Sequence, residues 1–166
     1  MSRRMLIPLS LAFAVAPSAM AAEAPNPLSL APFMVGLSVA DIDKVSAWYV
    51  EKLGFKVTLD VPLGTTGGKL RWIEAGSQRI ELMSLPDSKP GPERALPPDH
   101  AAVRGYTHLT LQVPDLDAAI ATLAARGVKP ALGPVPVGSL KVKVAFLRDP
   151  EGNMVELLQR ASNRES

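Results

Sequence analysis

Glu81 and Glu156 occupy corresponding positions in two similar halves of this chain, and His108 lies in the second half. Glu81 and Glu156 each lie between two branched apolar residues, and His108 begins a stretch of alternating polarity. A carboxylate among apolar neighbours is costly to bury unless it is paired, protonated or bound to a metal. One imidazole and two carboxylates form a nitrogen–oxygen donor set that suits a divalent ion such as Zn, Mn, Fe or Ni. Glu81, His108 and Glu156 are therefore candidate metal ligands.

A repeat in the sequence indicates which strands carry these residues. Residues 34–41 recur as residues 108–115, at a constant offset of 74, with branched apolar side chains at alternate positions of both copies. This is the period of a half-buried strand, so the residues in between face the other side of the sheet. The same alternation around the two glutamates predicts one sheet face that collects Glu81, Arg79, His108, Gln112 and Glu156.

Each copy of the repeat continues as a helix and three further strands. Asp41 and Asp115 are predicted N-caps, and Gly54 and Gly127 are the glycines expected where the two helices end. The further strands are predicted at Lys56–Val61, Lys69–Glu74 and Arg79–Met83 in the first half, and at Lys129–Pro134 (a proline-containing edge), Lys141–Leu147 and Met154–Leu158 in the second. We therefore predict an α+β fold of two βαβββ modules whose curved sheets enclose one cleft.

The elements also set the boundaries of the domain, which is predicted to span residues 33–159. The segments are a flexible lead-in at 22–32, module one at 33–83, a linker with five prolines at 84–104, module two at 105–159 and a polar tail at 160–166. The linker is long enough for the modules to pair within one chain or to exchange in a homodimer, and the sequence leaves both arrangements open.

Residues 1–21 have the pattern of a cleavable signal peptide. Arg3 and Arg4 precede an apolar stretch at 5–16, and small residues lead to Ala21, after which we predict cleavage, with Ala22 as the alternative. A permanent membrane anchor is the other interpretation, but the apolar stretch is shorter than the about 20 residues that a spanning helix needs. The protein is therefore expected in the periplasm or outside the cell, without membrane contact after cleavage.

Cleavage would also change the charge balance. The full sequence has 18 basic and 16 acidic residues, and the signal peptide contains two arginines and no acid. The mature chain would then carry equal numbers of both signs, which gives no indication of the basic patch that nucleic-acid binding requires. The sequence has no cysteine, so disulfides and a thiolate zinc site are excluded.

The sequence resembles the vicinal oxygen chelate superfamily, which contains glyoxalase I, extradiol dioxygenases, methylmalonyl-CoA epimerase and the bleomycin-resistance proteins. The resemblance covers about residues 33–159 and rests on the segments 37–41, 48–55, 108–115 and 149–156. It implies the glyoxalase/bleomycin-resistance/dioxygenase-like fold and, in metal-dependent members, ligands from the first and last strand of each module. Carried over by position, these are Met34, Glu81, His108 and Glu156, with Glu156 as the catalytic residue that binds metal or moves a proton.

Met34 departs from the family pattern, which has His or Gln at this position. A thioether is a weak ligand and does not suit a site rich in carboxylates. Either the remaining three residues hold an ion with open positions for water and substrate, or the metal is lost and a cavity remains. The expected cofactor is thus one divalent ion or none. The residues expected to line the substrate cavity are Met34, Ser38, Arg79, Gln112 and Trp72.

Several of these side chains also have a purely structural interpretation. His108 can be a hydrogen-bonded, partly buried histidine. Glu81 can pair with Arg79 or another nearby cation, because neighbouring positions on one sheet face reach each other. Trp72 can belong to the core.

Two functions therefore remain open. The first is an exported metal-dependent enzyme of lyase, isomerase or dioxygenase type that acts on a small oxygen-bearing substrate. The second is a metal-free protein of the bleomycin-resistance type that binds or sequesters a small molecule. Three retained ionisable groups favour the first, and Met34 favours the second.

Glyoxalase I is disfavoured because its substrate, a glutathione adduct, is mainly cytosolic, whereas this protein is expected to be exported. An extradiol dioxygenase needs a second histidine ligand, which only His100, folding back from the linker, could supply.

Overall fold

The structure, a computed structural model, describes Leu28 and residues 30–161. The predicted signal peptide and nearly all of the predicted tail lie outside the described residues. The chain divides into two units, residues 1–32 and 33–166, and every described helix and strand belongs to the second. No described helix is long and apolar enough to cross a membrane.

Module one forms the first four-stranded sheet, sheet A. Its elements are β1 (Val35–Ser38), α1 (Ile42–Leu53), β2 (Lys56–Leu63), β3 (Gly68–Ala75) and β4 (Gln78–Ser84), and the strand order is β1-β4-β3-β2. The pairing of β1 with β4 is parallel and the other two pairings are antiparallel. The helix begins where the Asp41 side chain accepts a hydrogen bond from the Lys44 amide at 2.9 Å. It ends at Gly54, whose φ of 78° is a left-handed conformation that favours glycine.

Module two repeats this arrangement as sheet B. Its elements are β5 (His108–Gln112), α2 (Leu116–Ala125), β6 (Leu132–Val137), β7 (Val142–Arg148) and β8 (Met154–Arg160), in the order β5-β8-β7-β6. Asp115 caps α2 through a 2.9 Å hydrogen bond from the Ala118 amide. The two predicted βαβββ modules and both predicted N-caps are therefore confirmed.

The observed bounds of β2, β3, β4, β6, β7 and β8 all differ from those predicted, by one to three residues at one or both ends. The sixth strand begins at Leu132 rather than Lys129, because the chain leaves α2 through a turn and pairs with β7 only from Leu132 onward. It is the edge strand expected from its prolines. The last strand continues to Arg160, where the main chain still pairs with Val142, so the predicted tail begins one residue too early.

One hydrophobic core lies between the helices and the sheets, and both modules contribute to it. The buried side chains from module one include Tyr49, Phe55, Ile73, Ile80 and Leu82; those from module two include Leu116, Leu123, Leu147, Val155 and Leu157. Each such side chain stabilises the fold by roughly 1.5–3 kcal/mol relative to an exposed position. The alternation of the sequence thus correctly predicts which face of each sheet packs on the helices.

The linker between the modules packs on the other face of sheet B. It contains a short 3-10 helix, Asp99–Ala102, and its Leu96 packs against a second buried cluster formed by Val144, Phe146 and Met154. This cluster belongs to the face of sheet B that points away from α2. The linker is therefore an integral part of module two rather than a free tether.

A hydrogen-bonded contact joins the two modules at the start of α1. Glu151, in the turn between β7 and β8, accepts hydrogen bonds from the amides of Ala40 at 2.8 and 3.0 Å and of Asp41 at 2.9 Å. A carboxylate at a helix N-terminus satisfies amides that have no partner within the helix and interacts favourably with the helix dipole. At the other end of the helices, Arg126 donates to the carbonyl oxygen of Lys52 at 2.7 Å.

Candidate functional site

The polar residues predicted to share one sheet face lie on two separate sheets. Glu81 and Arg79 belong to β4 of sheet A, whereas His108, Gln112 and Glu156 belong to β5 and β8 of sheet B. The edge strands β1 and β5 do not pair with each other. Alternation therefore identifies the correct face of each strand, but the single continuous face that we predicted is wrong.

The structure brings His108 and Glu156 together. Nε2 of His108 lies 3.5 Å from Oε2 of Glu156, and the two side chains are 21% and 13% exposed. The same carboxylate oxygen accepts a 2.7 Å hydrogen bond from the hydroxyl of Thr110, which pairs with Glu156 across the parallel strands. Nδ1 of His108 lies 2.9 Å from the Thr107 hydroxyl, so both ring nitrogens have polar neighbours. The hydroxyl groups of Thr107 and Thr110 thus position the two members of this histidine–glutamate pair.

Glu81 has a different environment on sheet A. Its Oε1 accepts a 3.1 Å hydrogen bond from the indole nitrogen of Trp72, its cross-strand neighbour. Across the parallel pairing stands Gly36, where a Cβ atom would lie 3.9 Å from the Glu81 carboxylate and 3.3 Å from the Met83 methyl group. Module one thus has glycine at the position where module two has Thr110, and Glu81 lacks the hydroxyl partner that Glu156 has.

Arg79 is held by aromatic rings and by a carboxylate other than Glu81. Its guanidinium carbon lies 4.4 Å from the centre of the Phe33 ring and 4.7 Å from that of Trp72, distances typical of cation–π contacts. The two rings meet edge to face at 5.9 Å. Nε of Arg79 pairs with Glu74 at 2.5 Å, and this hydrogen bond holds the pKa of the Glu74 carboxyl below its usual value. Arg79 is therefore not the partner of Glu81 that the structural interpretation suggested.

The donor set around these residues does not fit a divalent ion within the chain. Glu81 is bonded to Trp72 on sheet A, while His108 and Glu156 lie on sheet B. Among residues 30–161, no three His, Asp or Glu side chains form a group that could hold a metal ion. His108 and Glu156 alone supply two ligands, fewer than the three protein ligands typical of catalytic zinc sites. The predicted three-ligand set is thus not assembled in this structure.

A cavity of about 840 Å³ lies beside the histidine. Its walls are β1, the linker segment Ser88–Arg94, the segment Tyr106–Leu109 and the turn between β7 and β8. His108 and Met154 line it from sheet B, and Gly36 and Ser38 line it from sheet A. The cavity has the volume of a small-molecule site and mixes apolar strand residues with a few polar groups, as such sites do.

The residues predicted to line the substrate cavity are distributed over both sheets. Ser38 lines the cavity. Met34, Arg79 and Trp72 lie outside it, near β1, β4 and β3 of sheet A, and Met34 is 40% exposed. Gln112 is exposed at the end of β5. These four side chains do not contribute to the walls of this cavity.

His100 folds back onto module two, a possibility that the sequence left open. Its ring centre lies 5.4 Å from that of His108 and 6.1 Å from that of Phe146, and its Nδ1 lies 3.1 Å from the carbonyl oxygen of Pro98. It therefore packs on His108 rather than taking the position of Met34. The linker residues Lys89 and Arg94, which line the cavity, were missed by the sequence analysis because an irregular segment has no period that predicts side-chain direction.

The turn after β7 is fixed by a buried carboxylate. Asp149 is 5% exposed and accepts hydrogen bonds from the amides of Glu151 and Asn153 and from the Asn153 side chain, each at 2.9 Å. Burial raises the pKa of Asp149, and these hydrogen bonds oppose that change. These hydrogen bonds stabilise the turn, which carries Glu151 and forms one wall of the cavity.

Comparison with known proteins gives consistent results over most of the chain. The sequence profile of the "Glyoxalase/Bleomycin resistance protein/Dioxygenase superfamily" matches residues 31–157. The uncharacterized protein YwkD of Bacillus subtilis is 34% identical over 128 residues, which cover 76% of this chain and 94% of YwkD. The human mitochondrial methylmalonyl-CoA epimerase is 28% identical over 127 residues, covering 75% of this chain and 71% of the epimerase.

Solved structures show the same fold. A glyoxalase family protein from Enterococcus faecalis matches with a TM-score of 0.65 and 24% identity, covering 78% of this chain and 97% of that protein. TnmS3, an antibiotic binding protein from Streptomyces sp. CB03234, matches with a TM-score of 0.57 and 27% identity, covering 79% of this chain and 98% of TnmS3. Proteins named for catalysis and for ligand binding thus share this pair of modules.

Proposed function

Because the chain belongs to the Glyoxalase/Bleomycin resistance protein/Dioxygenase superfamily, we propose that it is an isomerase- or lyase-type enzyme that binds a small oxygen-bearing molecule and moves a proton on it. The observation that carries this proposal is the pair of His108 and Glu156, whose side chains are positioned by contacts with Thr107 and Thr110. The pair has a 3.5 Å separation, and His108 lines the cavity of about 840 Å³. The likeness to methylmalonyl-CoA epimerase, which is named for an isomerisation, supports the same class of reaction.

We assign each residue a role in the proposed proton transfer, in which the substrate extends from the cavity past His108 to Glu156, a residue that does not itself line the cavity. Glu156 is the base: one carboxylate oxygen takes a proton from a carbon next to a carbonyl group, and the electron pair of that C–H bond passes into an enolate. The hydroxyl of Thr110 fixes the orientation of the carboxylate at 2.7 Å. His108, the other member of the pair, lines the cavity and returns a proton to the substrate. Glu156 then passes the proton it took to His108, 3.5 Å away, which restores both groups, so the reaction needs no redox partner.

The test is solvent exchange, because it reports proton transfer before the product is known. The purified protein is incubated in D₂O with methylmalonyl-CoA and with small 2-oxo and 2-hydroxy acids, and deuterium incorporation is followed by mass spectrometry. We expect the unmodified protein to exchange at least one compound. Glu156→Gln should lower that rate by about 100-fold or more, the usual size of a general-base contribution.

Glu51→Gln is the matched control, because Glu51 is an exposed residue of α1 outside the site. It should exchange at the unmodified rate. Equal rates for the unmodified protein and Glu156→Gln would refute the proposal. A compound that raises the melting temperature but never exchanges would instead support the metal-free binding function, which the likeness to the antibiotic binding protein TnmS3 favours.

A metal-dependent enzyme is the second candidate, and the close approach of His108 to Glu156 is the observation in its favour. It requires further ligands from outside this pair, and a second copy in a homodimer is one source. Elemental mass spectrometry together with sedimentation analysis tests both points. Stoichiometric Zn, Mn, Fe or Ni that disappears in His108→Ala would support this candidate, and a metal-free protein that binds none of these added ions would exclude it.

We also propose that the protein is exported, on the strength of the arginines and the apolar stretch that begin the sequence. Cell fractionation and N-terminal sequencing test this. A mature N-terminus at Ala22 or Glu23 in the periplasmic or secreted fraction is expected, and an uncleaved chain in the cytosol would contradict it.

A further inference from the structure

Three basic side chains border the cavity without an acidic partner. They are Lys89 and Arg94 on the linker and Arg148 at the end of β7. The ion pairs within residues 30–161 involve other cations, so none of these three lies within ion-pairing distance of a described carboxylate. Both arginines are half-buried, where the loss of solvation makes an unneutralised charge more costly than at an exposed position.

The two arginines are fixed in place by main-chain carbonyl groups. Nη1 of Arg94 donates to the carbonyl oxygen of Val103 at 2.7 Å. Arg148 donates to the carbonyl oxygen of Gly152 at 2.9 Å and, through Nη2, to that of Arg94 at 2.7 Å. These bonds join the linker to the β7–β8 turn and hold the guanidinium groups in position. Since each guanidinium has five N–H donors, donors remain for a ligand.

The two acidic residues that line the cavity form no ion pair with these cations. Glu151 lines the cavity, but its carboxylate is engaged with the amides of Ala40 and Asp41 at the start of α1. Glu93 also lines the cavity and is exposed to solvent, where its charge is screened. The other titratable residues that line the cavity are His108, Tyr49 and Tyr106, none of which is acidic at neutral pH. The cavity thus combines two fixed guanidinium groups with His108, one member of the proposed proton-transfer pair, at its wall.

We propose that this cavity recognises an anionic substituent of the ligand, a carboxylate or a phosphate, through Arg94 and Arg148. A planar guanidinium fork binds such oxyanions through paired, charge-assisted hydrogen bonds, and pre-positioning lowers the entropy that binding costs. Lys89 adds a long-range attraction. The substrate class is therefore a small organic anion whose uncharged part lies against β1 and His108. This inference rests on the proposed function for the reacting pair, but its test measures binding alone, so either can fail independently.

The test compares charged and uncharged probes of similar size. Malonate, inorganic phosphate and the neutral diamide malonamide are titrated into the purified protein, and binding is followed by NMR. At least one anion should bind more tightly than malonamide. Tighter malonate binding would identify a carboxylate ligand, and tighter phosphate binding a phosphate ester. Equal affinity for all three probes would overturn the inference.

Paired variants separate the arginines from the general field of the protein. Arg94→Gln with Arg148→Gln should weaken anion binding by about tenfold or more, as expected for lost hydrogen bonds to a charged group. The control pair, Arg104→Gln with Lys129→Gln, removes the same charge from exposed positions outside the cavity. It should bind as the unmodified protein does, and an equal loss in both pairs would refute a specific site.

Both arginines also hold the linker, so the glutamine pair is first checked by thermal unfolding. If that pair does not fold, Arg94→Lys with Arg148→Lys decides the question, because lysine keeps the charge but lacks the planar fork. The lysine pair should lose about threefold or more in affinity. Unchanged affinity in the lysine pair would overturn the inference.

Discussion

The equivalent glutamates of the two modules have different partners, and this difference separates their roles. Glu156 has a hydroxyl donor in Thr110 and an imidazole at 3.5 Å, whereas Glu81 is bonded to the indole of Trp72. An indole nitrogen is a donor only and cannot take up a proton. The pair on module two can therefore relay a proton, and the pair on module one cannot.

Tyr49 provides a prediction at the scale of one residue. Its side chain is 1% exposed, and burial, with a smaller contribution from the charge of Asp149, raises the pKa of the phenol. In the unfolded chain the same phenol ionises near pH 10. Above that pH the unfolded state loses a proton that the folded state keeps, so the free energy of unfolding should fall by about 1.4 kcal/mol per pH unit from this group.

Urea unfolding between pH 8 and pH 11 measures this effect. Tyr49→Phe should remove the alkaline loss of stability that Tyr49 causes and give a flatter profile than the unmodified protein. Tyr106→Phe is the matched control, because Tyr106 is 94% exposed and its environment changes little on unfolding. Its profile should follow that of the unmodified protein, and identical slopes for all three proteins would contradict the assignment.

At the scale of elements, the helix caps give a prediction for α2. Asp115 accepts a hydrogen bond from the Ala118 amide at 2.9 Å, and such caps typically contribute about 1 kcal/mol. Asp115→Ala should therefore lower the free energy of urea unfolding by about that amount, whereas Asp115→Ser should keep most of the stability because serine also caps helices. An alanine variant as stable as the serine variant would show that the cap contributes nothing.

The elements could be predicted from the sequence because their signals are local. The strand period, the capping aspartates and the proline-containing edge strand each depend on a few neighbouring residues, and each is present in the structure. The site depends on the placement of one module against the other, for which no local pattern exists. His108 and Glu156 lie close together because β5 pairs with β8, and the alternation correctly predicted that they share a face. The separation of Glu81 from both residues depends on the division into two sheets, which the alternation does not predict. The packing of His100 on His108 also lay beyond the sequence, because it depends on the path of an irregular linker.

At the scale of the whole molecule, Glu151 gives the third stability prediction. It lies 110 residues from Asp41 in sequence and joins the turn of module two to the first turn of α1 in module one. Glu151→Ala should lower the free energy of unfolding by about 1 kcal/mol, since amides at the helix start lose a charged acceptor. Urea unfolding followed by circular dichroism measures the change.

Glu51→Ala provides the control for that measurement. Glu51 is exposed, and its ion pair with Lys52 has a separation of 3.8 Å. Exposed pairs of this kind contribute between about 0 and 1 kcal/mol, so the control should change stability little. If Glu151→Ala is no more destabilising than Glu51→Ala, the contact between the modules does not contribute measurably to stability.

The position of the linker has a consequence for how proteins of this architecture diversify. The segment Ser88–Arg94 forms one wall of the cavity but belongs to neither sheet. Substitutions at the exposed positions of this segment would alter the charge of the cavity without replacing any residue of the strands or of either α-helix. Since loops vary more among related proteins than the elements they connect, changes in this one loop are a route by which proteins of this architecture can acquire new ligands.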